Sequence, residues 1–262
     1  MNSLHCESQQ LDHHECEGFW KARACKYGHT GWSDQFIYQF DQLCRMQTFT
    51  AWLHSSFATA GKALDFGCGS GDFSRLLVKL GWTVSGCDKY IRPKFVHPRF
   101  SFLNALPEWQ SQPNSFDLIV SITVLDHIKS DQEFQACLEH LRRLLKPTGM
   151  FCFLEYSPDL FKAPSDYQAF RPMSTWRRCL QEAGLHLEKT ESVFHPIDAP
   201  IPAWNAYQKH PYSRVYKKIR LRWISRMIPL WPLKAVAATC LQQHGRPTPT
   251  GSPLNMLTGR TF

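Results

Sequence analysis

The apolar positions of the chain change their period at about residue 60. Between Asp34 and Phe57, the residues Phe36, Ile37, Phe40, Leu43, Cys44 and Trp52 recur near every 3.6 positions, which predicts a helix. From Ala63 the pattern becomes short apolar runs that alternate with amphipathic stretches. Strands are expected at Ala63–Phe66, Thr83–Cys87, Phe100–Leu103, Phe116–Ile122, Met150–Glu155 and Leu185–Phe194. Helices are expected at Asp72–Leu80, from Ser130 to about Leu145, and at Thr175–Ala183. Gly81 and Gly184 close the first and third, and Ser130 with Glu133 has the capping-box spacing. This alternation implies an α/β fold, a parallel sheet with helices on both faces.

The rhythm fails on both flanks. Residues 1–17, rich in Glu, His and Gln, read as a flexible leader, and Phe19–Trp32 is aromatic and basic. After His195 comes a proline-rich stretch, then Tyr212–Ile228, expected to be a basic helix. Its stripe of Tyr212, Val215, Tyr216, Ile219, Trp223 and Met227 is interrupted by Arg226. Pro229 and Pro232 break the chain, Leu233–Leu241 reads as one more short helix, and Asn255–Phe262 as a closing strand.

Composition narrows the class. The 262 residues are 43% hydrophobic and 13% aromatic, enough to build a sizeable core, which excludes wholesale disorder. No uncharged apolar run approaches the roughly 18 residues of a spanning helix, and the leader lacks an apolar signal region. The ten cysteines form no Cys-x-x-Cys pair and read as reduced thiols of a cytoplasmic protein. No zinc spacing joins His5, Cys6, His13, His14 and Cys16, so no metal is expected.

Charge is divided unevenly. Of 30 basic and 22 acidic residues, ten basic and no acidic ones follow Asp198, leaving 20 against 22 before it. The whole positive excess therefore lies in the last quarter, which should meet something negative: an acidic substrate, a phospholipid surface or a nucleic acid.

The strongest chemical signal is ALDFGCGSGDF, Ala63 to Phe73. A strand runs into Gly67, Gly69 and Gly71, and a helix follows. Glycines allow a sharp turn and let a ligand touch the main chain. A dinucleotide fingerprint needs Gly-x-Gly-x-x-Gly, and Asp72 occupies its third position. Asp65, beside the loop, would repel a pyrophosphate and suits a cation such as an amine or sulfonium. Asp88, at the end of the second strand, is placed to accept both hydroxyls of a ribose.

With these residues in view, the sequence resembles the class I S-adenosylmethionine-dependent methyltransferases of the small-molecule, methyltransferase-11/12-like kind. LDFGCGSGDF matches the first motif of that family, and VSGCDKY the acidic second. SFLNALPEW matches the third, FDLIVSITVLDHI the fourth, and LLKPTGMFCFLEY the stretch ending in strand five. The resemblance covers about residues 60–195. It implies a Rossmann-like, doubly wound sheet of seven strands with the last one antiparallel, and S-adenosylmethionine as cofactor. Asp65, Gly67 and Gly69 would hold the amino-acid end, with Cys68 beside them. Asp88, with Lys89 next to it, would hold the ribose, Asn104 and Ala105 would flank the adenine, and Ser121 would line the pocket below the methyl group. Tyr27 and His29 lie where the family keeps a lid.

The resulting organisation is a leader at 1–17, a helical lid at 18–60, a cofactor-binding core at 61–195, a basic aromatic insert at 196–254 and a closing strand at 255–262. The insert would rim the substrate cleft, with Trp204, Tyr207, Tyr212, Tyr216, Trp223 and Trp231 as apolar walls. Methyl transfer needs alignment of reactants, exclusion of water and, for a hydroxyl, a base. His127, Asp126 and His195 are the candidates for catalysis, with Glu155 and Tyr156 at the cleft edge. The expected reaction is methyl transfer to oxygen or nitrogen of a small anionic or amphiphilic acceptor. The alternatives are a membrane-peripheral enzyme acting on a lipid, quinone or lipid-linked sugar through residues 212–241, and a non-catalytic module that docks on an acidic partner. Nucleic acid is not expected as substrate.

Overall fold

The fold was determined as a computed structural model. It describes residues 13–103, 113–165, 167–219, 229–244, 249 and 251–262, with side chains from Gly18 onward. In chain order the elements are α1 (His13–Tyr27), α2 (Gln35–Ser56), β1 (Lys62–Phe66), α3 (Asp72–Lys79), β2 (Thr83–Cys87), β3 (Phe100–Leu103) and β4 (Phe116–Ile122). A 3-10 turn at Leu125–His127 follows, then α4 (Asp131–Leu144), β5 (Leu145–Tyr156), β6 (Lys162–Ser165), β7 (Gln168–Phe170), α5 (Met173–Glu182) and β8 (Leu185–Ser192). The chain continues with α6 (Pro202–Lys209), α7 (Pro211–Ile219), α8 (Trp231–His244) and β9 (Leu254–Thr261).

Seven strands form one sheet in the order β3-β2-β1-β4-β5-β9-β8. Its first five strands pair in parallel, and β9 runs antiparallel between β5 and β8. The two-residue alternation of a strand sends successive side chains to opposite faces. Leu64, Ile119, Phe151, Phe153 and Leu257 pack under α4 and α5 with Phe134, Leu138, Trp176 and Leu180. Ala63, Leu118, Val120, Cys152, Leu154 and Met256 pack on the other face with Phe49, Trp52, Phe73 and Leu77 of α2 and α3. Both faces are covered, which is why these strands read as continuous apolar runs.

A third cluster lies beside the sheet. Phe36, Phe40 and Cys44 of α2 pack against Trp204, Tyr207, Tyr216, Leu233, Ala237 and Leu241 of α6, α7 and α8. The aromatic residues expected as cleft walls are therefore core: Trp204, Tyr207 and Tyr216 are buried, and Tyr207 donates its hydroxyl to the Phe36 carbonyl at 3.1 Å. Helical spacing put them on one face, and that face found α2. Trp231 is exposed, and Trp223 lies outside the described residues.

Other expectations shift at their edges. The α1 backbone begins at His13, inside the expected leader, and the first twelve residues lie outside the described ones. The expected basic helix begins as α7, and residues 220–228 lie outside the description. The hairpin of β6 and β7 was not expected. Eight cysteines are described, all free thiols. Among the described residues no helix is long and apolar enough to cross a membrane.

Candidate active site

One cleft of about 1060 Å³ opens at the carboxyl ends of β1, β2, β4 and β5. Single small-molecule sites span roughly 300–1,000 Å³, so this one has room for two reactants. Asp65, Gly67, Cys68, Ser70, Asp88 and Lys89 line one end.

The turn after β1 is built on left-handed backbone: φ is 70° at Gly67, 50° at Gly69 and 81° at Gly71. Only glycine takes these values without strain. A Cβ on Gly67 would also stand 2.4 Å from the Val124 side chain, so the glycine turn and the segment after β4 are in close contact. Asp88 Oδ2 accepts from Gly69 N–H at 3.0 Å, and Oδ1 accepts from Tyr90 and Ile91 N–H at 2.8 Å each. Three of its roughly four lone-pair directions are thus taken by backbone, leaving one for a ligand hydroxyl rather than two. Asp65 is buried and accepts from Ser74 Oγ, and burial pushes its carboxyl up to about 7. These groups fit a cationic nucleoside: glycine backbone open to the cleft, a carboxylate with spare capacity at the end of β2, and a second carboxyl in the wall.

The segment expected to be a lid is tied to this end. Tyr38 Oη donates to Asp72 Oδ2 at 2.7 Å. His29 stacks on Tyr38 with ring centroids 3.3 Å apart and meets the Gln35 amide, and burial lowers its pKa to about 4. Thr30, Gly31 and Trp32 line the cleft, while His29 braces them from behind and Tyr27 stacks on His29. Neither expected lid contact, Tyr27 or His29, is a cleft-lining residue. Ser121 is not one either. It is fully buried and donates to Glu155 Oε1 at 3.0 Å, and Ile122 and Thr123 take the wall, because the next side chain of a strand faces the other way. Asn104 and Ala105 lie outside the described residues. Also outside are the side chains of His5, Cys6, His13, His14 and Cys16; among the described residues no group of three or more His, Cys, Asp or Glu is placed to hold a metal.

The other end of the cleft gathers distant segments. Asp126, His127, Tyr156 and His195 all line it, as do Trp20, Trp32, Asp41, Arg45, Tyr167 and Phe170. Glu155 stands behind them and is fully buried. It accepts from Ser121 Oγ and from Val124, Leu125 and Asp126 N–H at 3.0–3.4 Å, so it clamps the turn that carries Asp126 and His127. Burial, and then Asp126, push its carboxyl up to about 8. Burial likewise raises Asp126, against the pull of His127 and Arg45.

His127 Nδ1 meets the Tyr167 carbonyl at 2.9 Å. A carbonyl only accepts, so Nδ1 carries the proton and the neutral ring keeps its lone pair on Nε2. That Nε2 lies 3.5 Å from Asp126 Oδ1. His195 is held differently. Its Nδ1 accepts from Asp198 N–H at 3.1 Å and lies 2.9 Å from the Asp198 carboxylate, and burial lowers its pKa.

The sequence reading missed Asp41 and Arg45. They belong to a buried row on α2, Tyr38, Asp41, Arg45, Phe49 and Trp52, spaced at three and four residues. Two charges in phase with an apolar stripe are a signal of buried function that periodicity alone passes over. Arg45 Nε is 2.7 Å from Asp41 Oδ2, an ion-pair contact without hydrogen-bond alignment.

The comparisons with known proteins agree with this geometry. A family model described as a methyltransferase domain matches residues 38–190, more than half of the chain. A malonyl-[acyl-carrier protein] O-methyltransferase of Paenibacillus sp. (strain JDR-2) is 31% identical over 118 residues. That match takes in 40% of this chain and only 42% of the relative. Among solved structures, 1,6-didemethyltoxoflavin-N1-methyltransferase of Burkholderia thailandensis superposes with a TM-score of 0.60 at 13% identity, over 99% of this chain and 98% of that one. A SAM-dependent methyltransferase of Leishmania major gives 0.54 at 18% identity, over 70% and 79%. At these identities the likeness is one of fold. The chain belongs to the methyltransferase-domain family, and it is a class I, S-adenosylmethionine-dependent methyltransferase.

Proposed function

We propose that the chain methylates a nitrogen or oxygen of a small acceptor, with His127 taking the acceptor's proton. Bound against the glycine turn, S-adenosylmethionine supplies a methyl group on a sulfonium that keeps the bonding electron pair when the carbon leaves. Asp65, Gly67, Cys68, Gly69, Asp88 and Lys89 hold that donor; Gly69 acts through the Asp88 carboxylate it positions. Acceptor and aromatic walls exclude water from the reacting atoms.

The observation that carries the role of His127 is its hydrogen bond to the Tyr167 carbonyl. It fixes the tautomer whose free Nε2 faces the cleft beside Asp126. With both groups unprotonated, a lone pair opposes a carboxylate at 3.5 Å. A proton taken from the acceptor turns that repulsion into an ion pair. His195 lines the same chamber, but its Nδ1 is committed to Asp198, which makes it a wall and a secondary candidate. Arg23 and Lys162 line the cleft as cations, and suit an acceptor whose outer part is anionic.

In the test, His127→Gln should bind S-adenosylhomocysteine within about twofold of wild type in calorimetry, yet lose ~10²–10⁴-fold in turnover. Wild-type turnover in that variant removes the role.

A second reading concerns delivery of the acceptor. Arg214, Val215 and Lys218 of α7 and Trp231 and Lys234 of α8 are all exposed. Exposed basic residues and an exposed Trp on two neighbouring helices suit an anionic lipid surface. We propose that these residues dock there when the acceptor is amphiphilic.

A further inference from the structure

The depth of the cleft holds carboxylate oxygens short of donors. Asp126 is 1% exposed; the Gln168 amide interacts with it, but neither oxygen receives a well-aligned hydrogen bond. Asp41 is 2% exposed; its Oδ2 accepts from Trp32 Nε1 at 3.0 Å and meets Arg45, while its Oδ1 has no partner. Both residues line the cleft. The single buried cation, among the described residues that line it, is Arg45, which offsets one of the two negative groups. A buried carboxylate oxygen left without a well-aligned donor costs free energy, and a fold that keeps three of them just behind the wall of one chamber keeps them for a ligand. The surrounding walls are flat: Trp32 and Tyr156 each lie near the His195 ring, with centroids 5.9 and 6.0 Å away, and Tyr156 stacks on Phe170 at 4.4 Å.

We infer that the reacting end of the acceptor is a planar nitrogen base that enters with its N–H groups toward Asp126 and Asp41 and its faces against Trp32 and Tyr156. Carboxylates and phosphates are excluded from this depth and belong at the cationic mouth. The inference rests on the methyltransferase reading and names its acceptor class. One N–H proton passes to His127 Nε2, and the N–H electron pair stays on nitrogen as the lone pair that forms the new carbon–nitrogen bond. As that bond forms, the carbon–sulfur bond breaks and its electrons remain on sulfur. The imidazolium then pairs with Asp126.

The test uses whole protein saturated with S-adenosylhomocysteine and titrated calorimetrically with three probes of one shape: benzamidine, benzamide and benzoate. Benzamidine should bind at least ~10-fold more tightly than benzoate, the ratio expected when a charged hydrogen bond is made rather than opposed. Asp126→Asn should weaken benzamidine by ~10–100-fold while S-adenosylhomocysteine binding is retained, and Asp41→Asn should act in the same direction. Equal binding of benzoate, an unchanged benzamidine affinity in both variants, or no benzamidine binding at millimolar concentration overturns the inference. A wild-type protein that takes up no S-adenosylhomocysteine fails earlier, on the methyltransferase reading itself.

Discussion

Asp65 is a titrating group placed between a protein core and a ligand. Its folded pKa of about 7 lies above the ordinary value of 3.8, chiefly through burial. A raised carboxyl means that the folded state holds a proton the unfolded chain has already released. The stabilisation is complete below about pH 4 and is lost as pH rises toward 7. This group therefore tilts the stability curve downward over that window by up to about 1.4 kcal/mol per pH unit. Asp65→Asn should flatten that stretch of the curve in denaturant titrations at several pH values. An unaltered slope would show that Asp65 is already ionised in the fold. Asp65, Gly67 and Asp88 were legible in the sequence because the chemistry of a strand-end turn is local. Asp126 and His127 were legible only as neighbours in a loop. Their relation to Asp41, Arg45 and Tyr167 is made by the tertiary fold, and no spacing along the chain carries it.

At the scale of elements, alternation made the sheet readable. Strand β4, buried on two faces, was an apolar run bounded by turn residues, and β1 and β2 match their expected spans to within one residue. The hairpin of β6 and β7 escaped because its strands are four and three residues long and β6 is mostly exposed. The aromatic stripes of α6 and α7 were seen, but their destination was not, since periodicity identifies a buried face without naming what buries it. Strand β9 offers a sharper test of packing. At Gly259 the register of β8 shifts between Leu187 and Lys189, and a Cβ there would stand 1.8 Å from the His186 carbonyl oxygen. Gly259→Ala forces backbone apart in the middle of a ladder and should cost about 3 kcal/mol in urea unfolding. A loss below about 1 kcal/mol would mean that the bulge accommodates a methyl group.

Over the whole molecule, charge and topology are separated. The first 198 residues are close to neutral, and the cationic excess is carried by the segment that wraps α2 and returns to the sheet. Flotation with vesicles containing phosphatidylglycerol should recover the protein at low salt and release it as salt rises past physiological strength, because exposed charges are screened beyond roughly 10 Å at 0.1 M. Lys218→Glu combined with Lys234→Glu should abolish recovery without altering S-adenosylhomocysteine binding. Recovery that ignores both salt and these substitutions would assign the contact to apolar surface instead.

The place of β9 has a consequence for how the chain folds. Strand β8 ends at Ser192 and its partner begins only at Leu254, yet β8 reaches the sheet through that partner alone, since β5 pairs with β9 and not with β8. During synthesis β8 must therefore wait, unzipped, until some sixty later residues have emerged and the three helices have found α2. Such distant pairing is slow to nucleate, and it leaves two naked strand edges in the nascent protein. The interval before the last strand arrives is the one in which a chaperone, or another unfinished copy, would find it most adhesive.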